Sequence, residues 1–124
     1  MKVTLSKIRS NPDDIVWASP KNISDTVRYK RTISDKSIGS SSVPNVRQEI
    51  ISNRTVAIAL CDSKCAGEEV LSVRTSMSGS FKNSAEMVRM IDDHIATLNK
   101  FKAASVNYGF GPNDSLVVEY NYAD

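Results

Sequence analysis

The sequence predicts an α+β fold: an antiparallel β-sheet of about five strands, one long C-terminal helix and a final strand. Three observations carry this expectation. Between residues 14 and 78 apolar and polar residues alternate with period two in several short runs. Beyond Gly79 the apolar positions recur at helical spacing instead. After "NYGFGPND", which breaks the helix with glycines at 109 and 111, "SLVVEYNY" (Ser115–Tyr122) reads as a closing strand.

Taken in order, "DIVWAS" (Asp14–Ser19) is a compact apolar strand between Pro12 and Pro20, with Trp17 most simply a packing residue. "DTVRYKRTIS" (Asp25–Ser34) alternates, with Val27, Tyr29 and Ile33 on one side and Arg28, Lys30 and Thr32 on the other. "DKSIGSSS" (Asp35–Ser42) is a loop by composition. "VPNVRQEIIS" and "RTVAIAL" flank Asn53, a candidate tight hairpin turn. In "VLSVRTSMS" (Val70–Ser78), Leu71, Val73, Thr75 and Met77 form one row and Ser72, Arg74 and Ser76 the other.

The helix is expected over about residues 84–104. Met87, Ile91, His94, Ile95, Leu98 and Phe101 lie along one stripe. Asn83 is an N-cap residue, and Glu86 stands three positions on, where a capping-box side chain reaches back. Lys100 and Lys102 complement the dipole of the last turn.

At 124 residues the chain is long enough for one domain with a core, here residues 1–124, and too short for two comfortable ones. With 40% hydrophobic and 24% charged residues it has the composition of a soluble globular protein. Sixteen basic residues against 14 acidic ones leave a net charge of +2, so bulk charge does not demand a polyanionic partner. Nucleic-acid binding has to come from how the charge is distributed. No apolar run approaches the ~18–20 residues of a membrane span, and "MKVTLSKIRSNPDD" lacks the apolar middle region of a signal peptide. A chain made in the cytoplasm, with no membrane partner, is expected.

One amphipathic helix cannot cover both faces of such a sheet, so one face is left to solvent, a partner or a ligand. The rows that decide which hold Arg28, Lys30, Thr32, Asn45, Arg47, Thr55, Ser72, Arg74 and Ser76. Cations of this kind contact phosphates, and small polar groups contact bases. An ordinary solvated face accounts for the same residues.

Elsewhere the sequence is poor in chemistry. Cys61 and Cys65 are the only cysteines, and with His94, the only histidine, they fall short of the four ligands of a zinc site. C-x-x-x-C is not the C-x-x-C of a thiol oxidoreductase. Neither an orienting third residue nor an oxyanion donor accompanies Cys61 and His94 as a nucleophile and base. No metal, cofactor, small-molecule substrate or enzymatic activity is therefore expected.

In their order, these motifs resemble the coat proteins of single-stranded RNA bacteriophages, the leviviruses. "DIVWASP" is similar to a short outer strand near the N-terminus. "VRQEIISNRTVAIAL" looks like the central hairpin, with its Val-Arg-Gln entry and Asn-Arg turn. "CDSKC", followed by "SVRTSMSGS" and a capped amphipathic helix, matches the loop, last strand and helix of the disulfide-bearing members. The resemblance runs from about Asp14 to Tyr122. The weakly patterned start and the strand-like end resemble a subgroup in which a C-terminal strand replaces the N-terminal one.

The resemblance implies a structural, non-enzymatic virion protein synthesised in the bacterial host cytoplasm. Two chains would join sheets edge to edge into an intertwined dimer with one continuous sheet, with Met87, Ile91, His94, Ile95 and Leu98 at the interface and His94 buried there. Dimers would assemble into an icosahedral shell around the genome. The free sheet face, with the nine residues named above, would bind RNA, including a stem-loop near the replicase start, making the protein a translational repressor. Ala57 and Ala59 fall where the family often has polar or basic residues. The cysteine loop would gather at the symmetry axes of the shell. A disulfide within one chain closes a short, awkward ring; the resemblance implies bonds between chains, Cys61 of one to Cys65 of the next, with free thiols in a solvated loop as the alternative.

Overall fold

The computed structural model describes residues 1–61, 65–105 and 117–123. The chain forms two compact units, Met1–Ser80 and Phe81–Asp124. The first is an antiparallel meander of five strands: β1 (Ser6–Asn11), β2 (Asp14–Ala18), β3 (Thr26–Ile38), β4 (Ser41–Cys61) and β5 (Cys65–Gly79). Each strand pairs with its neighbours in sequence. The second unit holds the helix α1 (Ser84–Ser105). The expected sheet of five strands with one C-terminal helix is the observed architecture.

Several expected boundaries change, each for a physical reason. The serine-rich segment 35–42 is not a loop. β3 and β4 continue through it, with Asp35 opposite Pro44 and Ile38 opposite Ser41. A backbone ladder needs no apolar side chains, so polar composition alone does not end a strand. The chain reverses in the two residues Gly39 and Ser40, and Gly39 takes φ +61. A glycine with positive φ at the first central position is the signature of a type II′ hairpin turn.

Nor does the chain turn at Asn53. β4 runs unbroken for 21 residues, and Asn53 lies mid-strand between Thr26 and Ser72. The alternation on either side of it is in phase: Ile51, Asn53 and Thr55 share one face. A turn there would have broken that phase.

Two findings concern the ends. Residues 6–11, whose weak pattern left a strand there undecided, form β1, which reverses through Pro12 and Asp13. The Asp13 amide donates to Asn11 Oδ1 at 3.3 Å, an Asx turn. All six residues of β1 are exposed, and the pairing shifts between Lys7 and Arg9. A strand that buries nothing and carries a bulge leaves no alternation to read. Conversely, residues 117–123 carry no strand, so the expected replacement of the N-terminal strand is not seen. Ser115, Leu116, the glycines of "YGFGP" and the loop residues 62–64 lie outside the described residues.

The helix begins as expected. Asn83 Oδ1 accepts the Glu86 amide at 3.2 Å, the N-cap bond to the third helical residue. Glu86 does not reach back; its carboxylate takes Arg89 Nη1 at 3.3 Å instead. The helix closes at Ser105, one residue beyond the expected end, with Lys102 in its last turn.

Little of this chain is core. Among the described residues the buried apolar side chains are Val16, Ala18, Val43 and Ile51, and no large side chain is fully enclosed. On the sheet, Ile33, Ile50, Leu71 and Val73 are exposed. On the helix, Val88, Met90, Ile95, Leu98 and Phe101 are exposed, whereas Glu86, Met87, Arg89, Ile91 and Thr97 are half-buried and Asp93 is buried.

The Gly39 turn gives a direct test. A Cβ there meets nothing within 4 Å, so only the left-handed backbone opposes a side chain. Gly39→Ala should destabilise the protein by about 1–2 kcal/mol in chemical denaturation. An unchanged midpoint would mean that the turn relaxes to negative φ.

Candidate nucleic-acid interface

In an antiparallel ladder residues directly opposite point to the same side of the sheet. Thr32 pairs with Arg47 and Lys30 with Glu49, while Arg28 pairs with Ile51. Ser76 pairs with Glu49, Arg74 with Ile51, Ser72 with Asn53, and Val70 with Thr55. Asn45 stands two positions from Arg47 on the same strand. All nine residues proposed from the sequence therefore share one face, formed by β3, β4 and β5. Ala57 and Ala59 lie on it too, opposite Glu68 and Ala66. The other face carries Ile15, Trp17, Val27, Tyr29, Ile33, Ile50, Leu71, Val73 and Met77. There the Tyr29 hydroxyl donates to Gln48 Oε1 at 2.6 Å.

The nine do not form one uniform surface. Lys30, Thr32, Arg47, Ser72, Arg74 and Ser76 are exposed, whereas Arg28, Asn45 and Thr55 are half-buried. Arg28 is committed to a structural pair: its Nε and Nη2 donate to the two carboxylate oxygens of Asp14 at 2.7 and 2.6 Å. Arg9 adds a third bond to Asp14 at 3.0 Å. This bidentate clamp ties β1, β2 and β3 together on the basic face. It also removes Arg28 from the set of freely available cations. Thr55 is held through its backbone, its amide donating to Asp25 Oδ1 at 2.8 Å.

The centre of the face is different. Arg47 Nε lies 3.1 Å from Glu49 Oε1, and Arg74 Nε lies 3.7 Å from Glu49 Oε2. Arg47 Nε also donates to Ser76 Oγ at 3.3 Å. The two arginine side chains are 56% and 63% exposed, against 16% for Glu49. Arg47, Arg74 and Ser76 are thus brought together around a carboxylate that sequence reasoning passed over. Its signal was present: Glu49 has the same strand parity as Arg47 and Asn45. Asp14 and Asn53 were passed over likewise.

Away from the sheet, the expected interface residues of α1 are open in the single chain. Met87 and Ile91 are half-buried, and His94, Ile95 and Leu98 are exposed. His94, expected to be buried, is not; the buried side chain of that turn is Asp93. Asp93 Oδ2 accepts the Asn121 amide at 2.9 Å and Oδ1 accepts Asn121 Nδ2 at 2.6 Å. These bonds hold its carboxyl below the usual carboxylate range.

Cys61 is disulfide-bonded in the single chain, and the β4–β5 pairing sets Cys61 opposite Cys65 in the ladder. Facing strand positions remove the geometric objection to a bond within one chain. Among the described residues no group of three or more His, Cys, Asp or Glu side chains is arranged to hold a metal.

A five-stranded antiparallel meander with one polar, basic face, followed by a long helix, is the fold of levi-like phage coat proteins. The particular resemblances are to three solved structures. The virus-like particle of bacteriophage PQ-465 is 26% identical, with 98% of this chain and all of that one covered and a TM-score of 0.82. The virus-like particle of bacteriophage ESE001 is also 26% identical at the same coverage, with a TM-score of 0.67. The virus-like particle of Beihai levi-like virus 32, at 12% identity and a TM-score of 0.62, shares the fold over 96% of this chain and 95% of its own. No family model and no curated protein matches the sequence.

The Asp14 clamp predicts a pH dependence. The Arg28 guanidinium, with Arg9 beside it, lowers the Asp14 carboxyl from 3.8 to about 2. A depressed folded pKa stabilises the fold at pH values above 3.8, and that stability is lost as pH falls towards about 2. Asp14→Asn should therefore be less stable than the parent at neutral pH, the gap closing as acid titration passes through this window. A gap that persists below it would show that the carboxylate charge is not its source.

Proposed function

We propose that this chain is the coat protein of a single-stranded RNA phage. Its dimers assemble into an icosahedral shell around genomic RNA. The basic face of the sheet binds that RNA, including a stem-loop whose occupation represses replicase translation. The observation that carries the proposal is the division of the sheet. One face gathers every cation and hydroxyl expected to touch RNA, while Ile33, Ile50, Leu71 and Val73 lie exposed on the other. The likeness to phage virus-like particles over almost the whole chain supports the capsid role.

Dimerisation follows from what the chain leaves open. β5 has a partner on one side only, so the whole edge Cys65–Gly79 presents backbone donors and acceptors. The apolar stripe of α1 through Met87, Ile91, Ile95 and Leu98 also needs a cover. A second copy whose β5 pairs with this one, and whose helix lies on the apolar face, meets both needs under one two-fold operator. The mature protein is then a component of the virion, made in the cytoplasm of the bacterial host.

Expression should give megadalton particles that carry host RNA. A stable dimer under all conditions would instead identify a small RNA-binding module that does not form shells. On the RNA face, Arg47→Ala and Arg74→Ala should each weaken RNA binding and reduce the slope of log affinity against log salt by about 0.7–1. Arg28→Ala should act on stability more than on that slope, because Asp14 holds the guanidinium. Unchanged slopes for the first two variants would remove the RNA role from this face.

The cysteines enter the same reading as a staple. A lone chain offers Cys61 no thiol but that of Cys65, whereas hairpin ends gathered at a symmetry axis offer a neighbour's. The cytosol keeps thiols reduced, so the partner is chosen when oxidation follows assembly. Boiled particles on a non-reducing gel should run as pentamer- and hexamer-sized ladders. A monomer band would leave the bond within the chain and refute the staple.

A further inference from the structure

Resting on the RNA-face reading, we infer that Glu49 is a positioning residue for two arginine forks that take adjacent phosphates of one RNA strand. A carboxylate in the middle of a phosphate-binding face looks at first like a liability, since it repels the ligand. The geometry gives it another role. Glu49 pairs with Nε, the inner nitrogen, of both arginines, at 3.1 Å for Arg47 and, as an ion pair beyond hydrogen-bond reach, 3.7 Å for Arg74. Ser76 Oγ accepts from the same nitrogen of Arg47 at 3.3 Å. The terminal nitrogens of both guanidiniums have no hydrogen bond among the described residues, and both side chains are more than half exposed. A guanidinium anchored by Nε keeps its two terminal nitrogens free for bidentate contact with a phosphate.

The contrast with Arg28 sharpens the point. Asp14 takes Arg28 by Nε and Nη2 together and uses up half of its fork. Glu49 divides its two oxygens between two arginines and uses up neither. It is itself mostly shielded from solvent, so it is fixed while its partners project. Two guanidiniums on the two oxygens of one carboxylate stand side by side, an arrangement suited to neighbouring phosphodiesters of a single strand. Freezing two long side chains before binding removes the ordering cost that RNA would otherwise meet.

This assigns a sign that simple electrostatics does not. Removing an acid from a basic face should tighten binding by charge alone. If Glu49 positions the arginines, Glu49→Gln should instead weaken it, by about five- to tenfold at fixed salt, from the entropy of two released side chains. The measurement is fluorescence anisotropy of the purified full-length chain with a labelled single-stranded uridine RNA of about 20 nucleotides, over a salt series. Circular dichroism checks the fold of each variant. Arg47→Lys, which keeps the charge and leaves Glu49 in place but has no fork, should lose a similar amount. Tighter or equal binding by Glu49→Gln overturns the inference, and so does parental binding by Arg47→Lys, which decides alone if Glu49→Gln does not fold. A parent chain that shows no salt-dependent RNA binding would overturn the RNA-face reading itself, an outcome distinct from either variant result.

Discussion

The register of β4 between β3 and β5 is the constraint on which the rest of the sheet depends. Side chains on a strand alternate strictly, so a slip of one residue would exchange the two faces along its whole length. Here the pairing holds in phase from Val46 to Ala59 on the β5 side and from Ser41 to Asn53 on the β3 side. Its one irregularity on β4 falls near Cys61, at the hairpin end. Because the phase holds, Arg47 and Arg74, which are 27 positions apart in sequence, can meet on Glu49, and Arg28 can lie in line with Val16 and Ile51. The apolar set Ile33, Ile50, Leu71 and Val73 is displaced in the same stroke to the far side.

The helix of the second unit leaves much of its apolar surface open. The covered positions of α1 mix the half-buried Met87 and Ile91 with polar residues that satisfy one another: Glu86 takes Arg89, the Thr97 hydroxyl donates to the Asp93 carbonyl at 2.9 Å, and Asp93 takes Asn121. Val88, Met90, Ile95, Leu98 and Phe101 are exposed. Burying polar groups with partners while exposing methyls is the reverse of what an isolated domain needs. Among the described residues only Val16, Ala18, Val43 and Ile51 are buried apolar side chains.

How much was legible in the sequence follows from the same physics. Long half-buried strands announce themselves, so β3, β5 and the face of every proposed RNA contact could be read from alternation alone. The helix was readable because its cap and its stripe agree. What escaped lay where burial leaves no imprint. β1 is exposed along its length, and the polar hairpin arms around Gly39 bond through the backbone only. Asn53 misled because Asn-Arg is a good turn sequence; only the unbroken phase around it argued otherwise. Glu49 and Asp14 were passed over because an acid in a basic row reads as noise until its partners are located in space. His94 lay on the apolar stripe, but the stripe itself is bare in the single chain.

Those two acids decide how the arginines of the proposed RNA face are held in a chain of net charge +2. The pairs of Glu49 reach exposed arginines and add little to stability, so the role of Glu49 is better sought in what it does to the arginines. Asp14 draws Arg28 flat against the sheet as a strut between β2 and β3, and Arg9 closes the strut from β1. Glu49 leaves its arginines outward, with their terminal nitrogens open. The same chemical pair, an arginine and a carboxylate on neighbouring strands, therefore yields rigidity in one place and reach in the other. The difference is which guanidinium nitrogens the carboxylate occupies. The net charge of the face matters less than where its free forks stand, and the register of β4 sets that.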